Sequence, residues 1–172
     1  MKRIGILSDT HGTLVPQVFS FFKDCDELWH AGDIGYGVLD QLREFKPVRA
    51  VWGNCDSFDL HFSLPEVDFF ECEGARVLMM HIGGWPGHYP PALRRQIELA
   101  RPDIFVCGHS HILKVMYDKE YSLLHINPGA AGQQGFHKVS TLVRFTIDNA
   151  HPSNAEIFEY PKHPAPPAPE AL

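Results

Sequence analysis

The sequence predicts one α/β domain with mixed β-sheets and helices on the outside. In the first half, short apolar runs alternate with amphipathic segments, which is typical of βαβ units. In the second half, apolar runs follow one another over connections that are mostly short enough for antiparallel pairing. We expect this domain to span residues 1–160, and the proline-rich tail over 161–172 to be extended or disordered.

The elements of the first half follow from local periodicity. In order, we predict a strand over 2–8, a helix over 14–23, a strand over 27–31, a helix over 38–45 and a strand over 48–52. The first helix places Val15, Val18, Phe19 and Phe22 on one stripe, which should cover a sheet face. Pro47 stops the second helix and resets the chain for the third strand.

The second half contains one clear turn and one clear helix. Glu73 and Gly74 separate two apolar runs and predict a hairpin, and a loop rich in Pro and Gly over 82–90 precedes a helix. In order, we predict strands over 67–71 and 76–80, a helix over 91–100, and strands over 103–107, 113–118, 122–126, 141–147 and 156–160.

Five of the apolar runs are each followed by residues that can bind a metal ion. These residues are Asp9 and His11, Asp33, Asn54, His81, and His109 and His111. In open α/β sheets the crevice beyond the carboxyl ends of the strands is where sites are built, so we expect all seven at one edge. Two Asp, one Asn and four His suffice for two divalent ions of the Mn, Fe, Zn or Ni kind, with Asp33 as the natural bridge.

Each segment is a weak signal when taken singly. Gly32-Asp33 and Gly53-Asn54 are ordinary turn dipeptides, and a lone His81 is as easily a hydrogen-bonded residue at the core edge. The segment Gly108-His109-Ser110-His111 is more specific, because packing seldom requires two histidines around a small residue. The recurrence after five separate runs therefore favours a metal centre.

Composition restricts the partners. The net charge is −6 and the basic residues are scattered, which argues against a nucleic-acid footprint. No apolar stretch approaches the roughly 18 residues of a membrane span, and the first residues do not form a signal peptide. The four cysteines lack C-x-x-C spacing, so we expect reduced thiols in a cytoplasmic protein without membrane contact.

The motifs resemble those of the calcineurin-like metallophosphoesterases. The family pattern D-x-H, G-D, G-N, H and G-H-x-H is complete and in order from Asp9 to His111. The small single-domain bacterial and archaeal phosphodiesterases of this class are most similar, since they also carry Gly-Asn-Cys-Asp, here 53–56, and Asn-Pro-Gly, here 127–129. The resemblance implies a four-layer α/β/β/α sandwich with two mixed sheets.

The resemblance also implies a ligand set and a reaction. One ion would be bound by Asp9, His11, Asp33 and His111, and the other by Asp33, Asn54, His81 and His109. Of these, Asp33, Asn54 and His81 are predicted to be catalytic residues as well. The ions are expected to be two Mn²⁺, with Fe, Zn, Ni or Co as alternatives. They would lie about 3.5 to 4 Å apart, and a bridging hydroxide would attack a small phosphoester in line, most simply a phosphodiester.

The proton donor is one point where the chain departs from the family. Many larger members have His directly after the G-N asparagine, where this chain has Cys55. A thiol of pKa about 8.5 is a poorer acid near neutral pH. His88 or His137 could replace it, although both are more readily explained as solvated loop histidines.

The loop after His81 is a second departure. Small relatives place Gly directly after this histidine, whereas Ile82 intervenes here. We expect the loop over 83–91 to reshape the substrate mouth, and its aromatic residues Trp85 and Tyr89 to accommodate a base or aryl group.

Two other functions compete with the phosphoesterase. The same fold serves as a scaffold subunit of the retromer sorting complex, where the site has lost ligands and an apolar surface binds partners. A mononuclear hydrolase is the second alternative, but seven ligands exceed what one ion needs. The complete ligand set favours the enzyme over both, and the oligomeric state stays open, with a homo-oligomer among the options.

Overall fold

A computed structural model describes residues 1–163. In chain order the elements are β1 (Lys2–Leu7), α1 (Pro16–Phe22), β2 (Glu27–His30), α2 (Val38–Phe45), β3 (Val48–Ala50), α3 (Phe58–Ser63), β4 (Val67–Cys72), β5 (Ala75–Met80), α4 (Pro91–Ala100), β6 (Ile104–Val106), β7 (Leu113–Asp118), β8 (Leu123–Pro128), β9 (Val139–Asp148) and β10 (His151–Pro161). The last strand includes the first residue of the predicted tail, and the rest of that prediction lies mostly outside the described residues.

The strands form two five-stranded sheets, and both are mixed. The first has the order β10-β9-β1-β2-β3 and the second the order β4-β5-β6-β8-β7. The expected division into a parallel first half and a largely antiparallel second half is wrong, because β5, β6 and β8 pair in parallel. The chain passes from β6 to the edge strand β7 and returns by a hairpin, which places β8 between them.

The predicted hairpin between β4 and β5 is present. Cys72 pairs with Ala75, so Glu73 and Gly74 form a two-residue turn. Both turn residues have positive φ, 49° and 83°, as the tight turns that match strand twist require.

Alternation along the strands divides the core into three apolar layers. Ile4 and Ile6 of β1 point between the sheets, where they join Trp29 and Phe145. Leu7 points the other way and packs in a cluster with residues of α1 and α2. A third cluster lies between α4 and the second sheet. The result is the expected four-layer α/β/β/α sandwich.

The helix α3 is not predicted by the sequence pattern. It has six residues and none of them is buried, so the helix has no buried apolar stripe that a sequence pattern could reveal. Ser57 caps it by accepting the Leu60 N–H at 3.4 Å. Its His61 stacks on Trp52 with 4.1 Å between ring centroids and donates to the Gly53 carbonyl at 2.9 Å. The helix therefore supports the loop that carries Asn54.

None of the helices in the described part of the chain is both long and apolar enough to cross a membrane. The four cysteine thiols are free, with Cys25, Cys72 and Cys107 buried and Cys55 exposed.

Candidate metal centre

The carboxyl ends of strands from both sheets deliver the candidate ligands to one edge of the sandwich. Asp9 and His11 follow β1, Asp33 follows β2, and His81 follows β5. The loop after β6 adds His109 and His111. These six side chains lie in adjoining groups, although they are spread over more than a hundred residues of sequence.

The side chains form two groups. In one, ligand atoms of Asp9, His11 and His111 lie within 4.8 Å of one another, and in the other those of Asp33, His81 and His109 do so. Asp33 links the groups, because its Oδ2 lies 3.1 Å from His81 Nε2 and 3.8 Å from His11 Nε2. This grouping has the same division as the two ligand sets that the family resemblance implies.

Asn54 lies at the rim of this arrangement. Its side chain is exposed, and it lines a small cavity of about 50 Å³ together with His81 and Trp52. Its amide nitrogen lies 3.5 Å from the Cys55 sulfur. The structure therefore places Asn54 beside the second group, facing the same space as His81.

The histidine tautomers suit a bound cation. His81 Nδ1 donates a hydrogen bond to the Ala31 carbonyl at 2.7 Å, so in the neutral imidazole Nε2 carries the lone pair, on the side of Asp33. The Nε2 atoms of His81 and His11 are both buried and have no hydrogen-bond partner. Buried nitrogens are rarely left unpaired in folded proteins, whereas a metal ligand needs such a lone pair. The residues present therefore fit divalent metal ions.

The two carboxylates stay ionised at neutral pH. Burial raises the pKa of Asp33, but the adjacent His81 imidazole and a hydrogen bond from the Cys55 backbone N–H outweigh it and bring the value to about 2. Burial likewise opposes ionisation of Asp9, yet bonds from His111 and Ser8 hold its pKa below the ordinary value. Two buried negative charges side by side attract cations.

Strained backbone accompanies the candidate ligands. Five of the seven have left-handed backbone, with φ of 55° at Asp9, 44° at His11, 54° at Asp33, 66° at His109 and 58° at His111. Non-glycine residues seldom adopt this region, at a cost of roughly 1–3 kcal/mol each where the site holds them there. Such clustering is typical of functional sites.

Close approach explains the glycines before the ligands. A Cβ on Gly32 would lie 2.7 Å from His81 Nδ1, and a Cβ on Gly108 would overlap the Ser8 hydroxyl and the Asp9 carboxylate. Even alanine at these positions would displace candidate ligands.

Several supporting residues are not singled out by the sequence. Asp56 accepts the backbone N–H groups of Ile34 and Gly35 at 2.8 and 2.9 Å and that of Gly53 at 2.9 Å. It thereby ties the loop after Asp33 to the loop that carries Asn54. Its place in the Gly-Asn-Cys-Asp motif was the available signal. Ser8 is a second case, since its hydroxyl donates to Asp9 Oδ2 at 2.7 Å.

The candidate proton donors occupy different places. The Cys55 thiol is exposed, and ligand atoms of Cys55, His11 and Asp33 lie within 4.8 Å of one another. Partial burial and then the charge of Asp33 raise its pKa, so the thiol stays protonated at neutral pH. His137 packs edge-on against His111 with ring centroids 5.2 Å apart, and His88 packs against Trp85.

Tyr89 does not line the substrate mouth, contrary to expectation. Its ring is buried against Phe105, and its hydroxyl lies 3.1 Å from His125 Nδ1. Tyr89 lies two residues before the start of α4, and its ring joins the apolar layer beneath that helix. Trp85 remains 45% exposed and lines a pocket.

Comparisons with known proteins identify solved structures that have a similar fold. A search of curated protein sequences finds no match. Vps29 from Entamoeba histolytica in complex with zinc is 18% identical, with a TM-score of 0.71 over 94% of this chain and 99% of that chain. Vps29 from Chaetomium thermophilum is 15% identical, with a TM-score of 0.72 over 95% and 100%. An archaeal phosphodiesterase is 20% identical, with a TM-score of 0.71 over 91% and 99%.

The family model named calcineurin-like phosphoesterase superfamily domain matches residues 1–150. This match covers both sheets up to the end of β9 and includes all the candidate ligands. The chain belongs to the calcineurin-like phosphoesterase superfamily.

Proposed function

We propose that this protein is a metal-dependent phosphoesterase that uses two divalent ions and acts on phosphodiesters. The observation that carries the proposal is the pair of ligand groups joined by Asp33, with buried, unpaired imidazole nitrogens on His11 and His81. The likeness to an archaeal phosphodiesterase supports the choice of reaction. A protein-binding scaffold does not require a complete set of candidate metal ligands, held with strained backbone, at this edge of the sandwich.

Each residue has a distinct role in this proposal. Asp9, His11 and His111 would hold one ion, Asn54, His81 and His109 the other, and Asp33 both. When bound, two such ions acidify a water molecule and neutralise charge on phosphoryl oxygens. Ala31 orients His81 through its carbonyl, and Asp56 holds the Asp33 and Asn54 loops together. The exposed rim formed by Asn54, Cys55 and His109 is where a phosphoester would enter.

The protonated thiol of Cys55 occupies the position at which many family members carry a proton-donating histidine. Its raised pKa makes it a weak acid, so little proton transfer to a leaving alkoxide is expected. The proposed enzyme therefore depends on leaving groups that are stable as anions.

The metal and the compartment complete the proposal. A set of imidazole, carboxylate and amide ligands suits Mn²⁺, and Fe, Zn, Ni or Co bind similar sites, so availability decides among them. Four free thiols support a reducing compartment, the cytoplasm. The proposed partner is a small phosphoester rather than a nucleic acid or a membrane.

Metal reconstitution tests the proposal. The chelated protein is loaded with Mn²⁺, its metal content is measured, and it is assayed with bis(p-nitrophenyl) phosphate and with p-nitrophenyl phosphate. We expect two ions per chain and faster cleavage of the diester. His151→Ala, which removes an exposed histidine of β10, should leave both results unchanged. Two bound ions without hydrolysis of any phosphoester would contradict the enzyme and favour the protein-binding scaffold.

A further inference from the structure

A pocket of about 320 Å³ adjoins the loop that carries two of the candidate ligands. Ser110, which lies between His109 and His111, forms part of its wall. The pocket and the metal centre therefore share one loop. Its volume falls within the range of roughly 300–1,000 Å³ that is usual for small-molecule sites.

Two large apolar side chains of this pocket are left open to solvent. Trp85 is 45% exposed and Ile112 is 62% exposed, and both line the pocket. An indole face beside an aliphatic side chain is a surface on which an aromatic ring stacks favourably.

A cation accompanies these apolar walls. The Lys114 ammonium lies 5.8 Å from the centre of the Trp85 ring. Lys114 is the only charged residue among the described residues that line the pocket, and none of them is acidic. Burial and then the charge of Lys114 lower the pKa of His125, a further lining residue, to about 4, so it is neutral at pH 7. In a chain of net charge −6, this isolated positive charge favours an anionic ligand.

Ser110 adds a hydrogen-bond donor. Its oxygen accepts from the Asn127 amide at 3.0 Å and from the Ile112 backbone N–H at 3.2 Å. Both bonds use the oxygen as acceptor, so the hydroxyl hydrogen stays available for a ligand.

We infer that this pocket binds an aromatic ring that carries an anionic group, with the ring on Trp85 and the anion at Lys114. Its use as a substrate subsite rests on the proposed function: the substrate would be an aromatic phosphodiester with a second anionic group, of the nucleotide class. The binding itself requires no metal and no catalysis.

Calorimetric titration of the chelated, metal-free protein tests the binding directly. The probes are AMP, adenosine and ribose 5-phosphate, so the ring and the anion are also presented separately. We expect AMP to bind about tenfold or more tightly than either fragment. Trp85→Ala should weaken AMP and adenosine alike, whereas Lys114→Met should weaken AMP and leave adenosine unchanged. Phe62→Ala and Lys119→Met, which alter exposed residues outside the pocket, are the matched controls.

Equal affinity for AMP and ribose 5-phosphate, or AMP binding that survives both pocket substitutions, would overturn the inference. A second measurement connects the pocket to catalysis in the Mn²⁺-loaded protein. The ratio of kcat/KM for thymidine 5′-(p-nitrophenyl phosphate) to that for methyl p-nitrophenyl phosphate should fall about tenfold in Trp85→Ala. AMP binding of the expected pattern without hydrolysis of either diester would support the pocket and contradict the proposed function alone.

Discussion

The carboxylate Oδ2 of Asp33 and the Nε2 of His81 lie 3.1 Å apart, although the two residues follow strands of different sheets. The Ala31 carbonyl accepts a hydrogen bond from His81 Nδ1, so in the neutral imidazole this Nε2 carries the lone pair. The same Asp33 oxygen lies 3.8 Å from His11 of the other ligand group. One carboxylate thus connects both halves of the candidate metal centre, and the first prediction follows from it.

Asp33→Asn should disrupt both metal positions. An amide has a single oxygen without negative charge, so neither ion retains its shared ligand at full strength. Metal analysis should find fewer than two ions per chain, and diester hydrolysis should fall by orders of magnitude while circular dichroism is unchanged. Asp40→Asn, in an exposed position of α2, is the control. Two ions still bound in the Asp33 variant would contradict the proposal that Asp33 bridges the two ions.

The histidines of the β6 loop should serve different ions. His111→Ala should weaken the ion shared with His11, and His109→Ala the ion shared with His81. The double variant His11→Ala/His111→Ala should therefore leave about one ion per chain. The double variant His11→Ala/His109→Ala should leave none. The same residual content in both double variants would show that the grouping is wrong. Thermal stability should change little, since Val106 and Phe105 pack independently of the imidazoles.

Asp56→Asn should reduce metal affinity without removing a ligand. The carboxylate accepts three backbone N–H groups from the two loops that carry Asp33 and Asn54. Loss of such a supporting partner typically costs about 10–100-fold in affinity or activity. Competition with a fluorescent chelator measures the change, and Asp59→Asn on α3 is the control. Unchanged metal affinity would mean that the loops hold their positions without this carboxylate.

Leaving-group dependence tests the role of Cys55. Because its raised pKa makes it a poor acid, aryl diesters should react much faster than alkyl diesters. Cys55→His should raise the rates for alkyl esters and flatten the dependence on leaving-group pKa. If the wild-type rate is already independent of that pKa, another residue donates the proton. His137→Ala would then be the first variant to examine, since His137 contacts His111.

Stability of the metal-free protein should fall with acid because of His125. Burial, followed by the charge of Lys114, lowers the pKa of this histidine to about 4, against opposition from Asp118. Its neighbours Tyr89 and Cys107 stay uncharged, since their pKa values are raised. The unfolded chain therefore binds the proton first, and stability is lost as pH falls from about 6.5 to about 4.

Urea unfolding at several pH values measures this loss. The contribution of His125 should be roughly 3 kcal/mol between pH 7 and pH 4. His125→Phe should remove that share of the pH dependence, because phenylalanine does not titrate. An identical pH dependence of the free energy of unfolding in both proteins would show that His125 is not the responsible group.

Motifs in the sequence identified the family, the resemblance to that family implied the four-layer fold, and local patterns located the strand ends at which candidate ligands lie. The helices α2 and α4 begin and end at the predicted residues, because an apolar stripe and flanking Pro or Gly act within a few residues. The candidate ligands could be chosen in the same way, since each lies within a few residues of the end of an apolar run. Their metal-binding role stays a prediction.

Only the tertiary structure decided how distant segments meet. The parallel pairing of β6 with β8, the burial of Tyr89 and the meeting of Trp85 with Lys114 all depend on contacts between segments far apart in sequence. The role of Asp56 belongs here too, because its partners lie on two loops. The periodicity of apolar residues in the sequence indicates which face of a strand or helix is buried. Strand order and side-chain partners follow from the packing of the whole chain, where loop closure and core shape select among arrangements with equal local patterns.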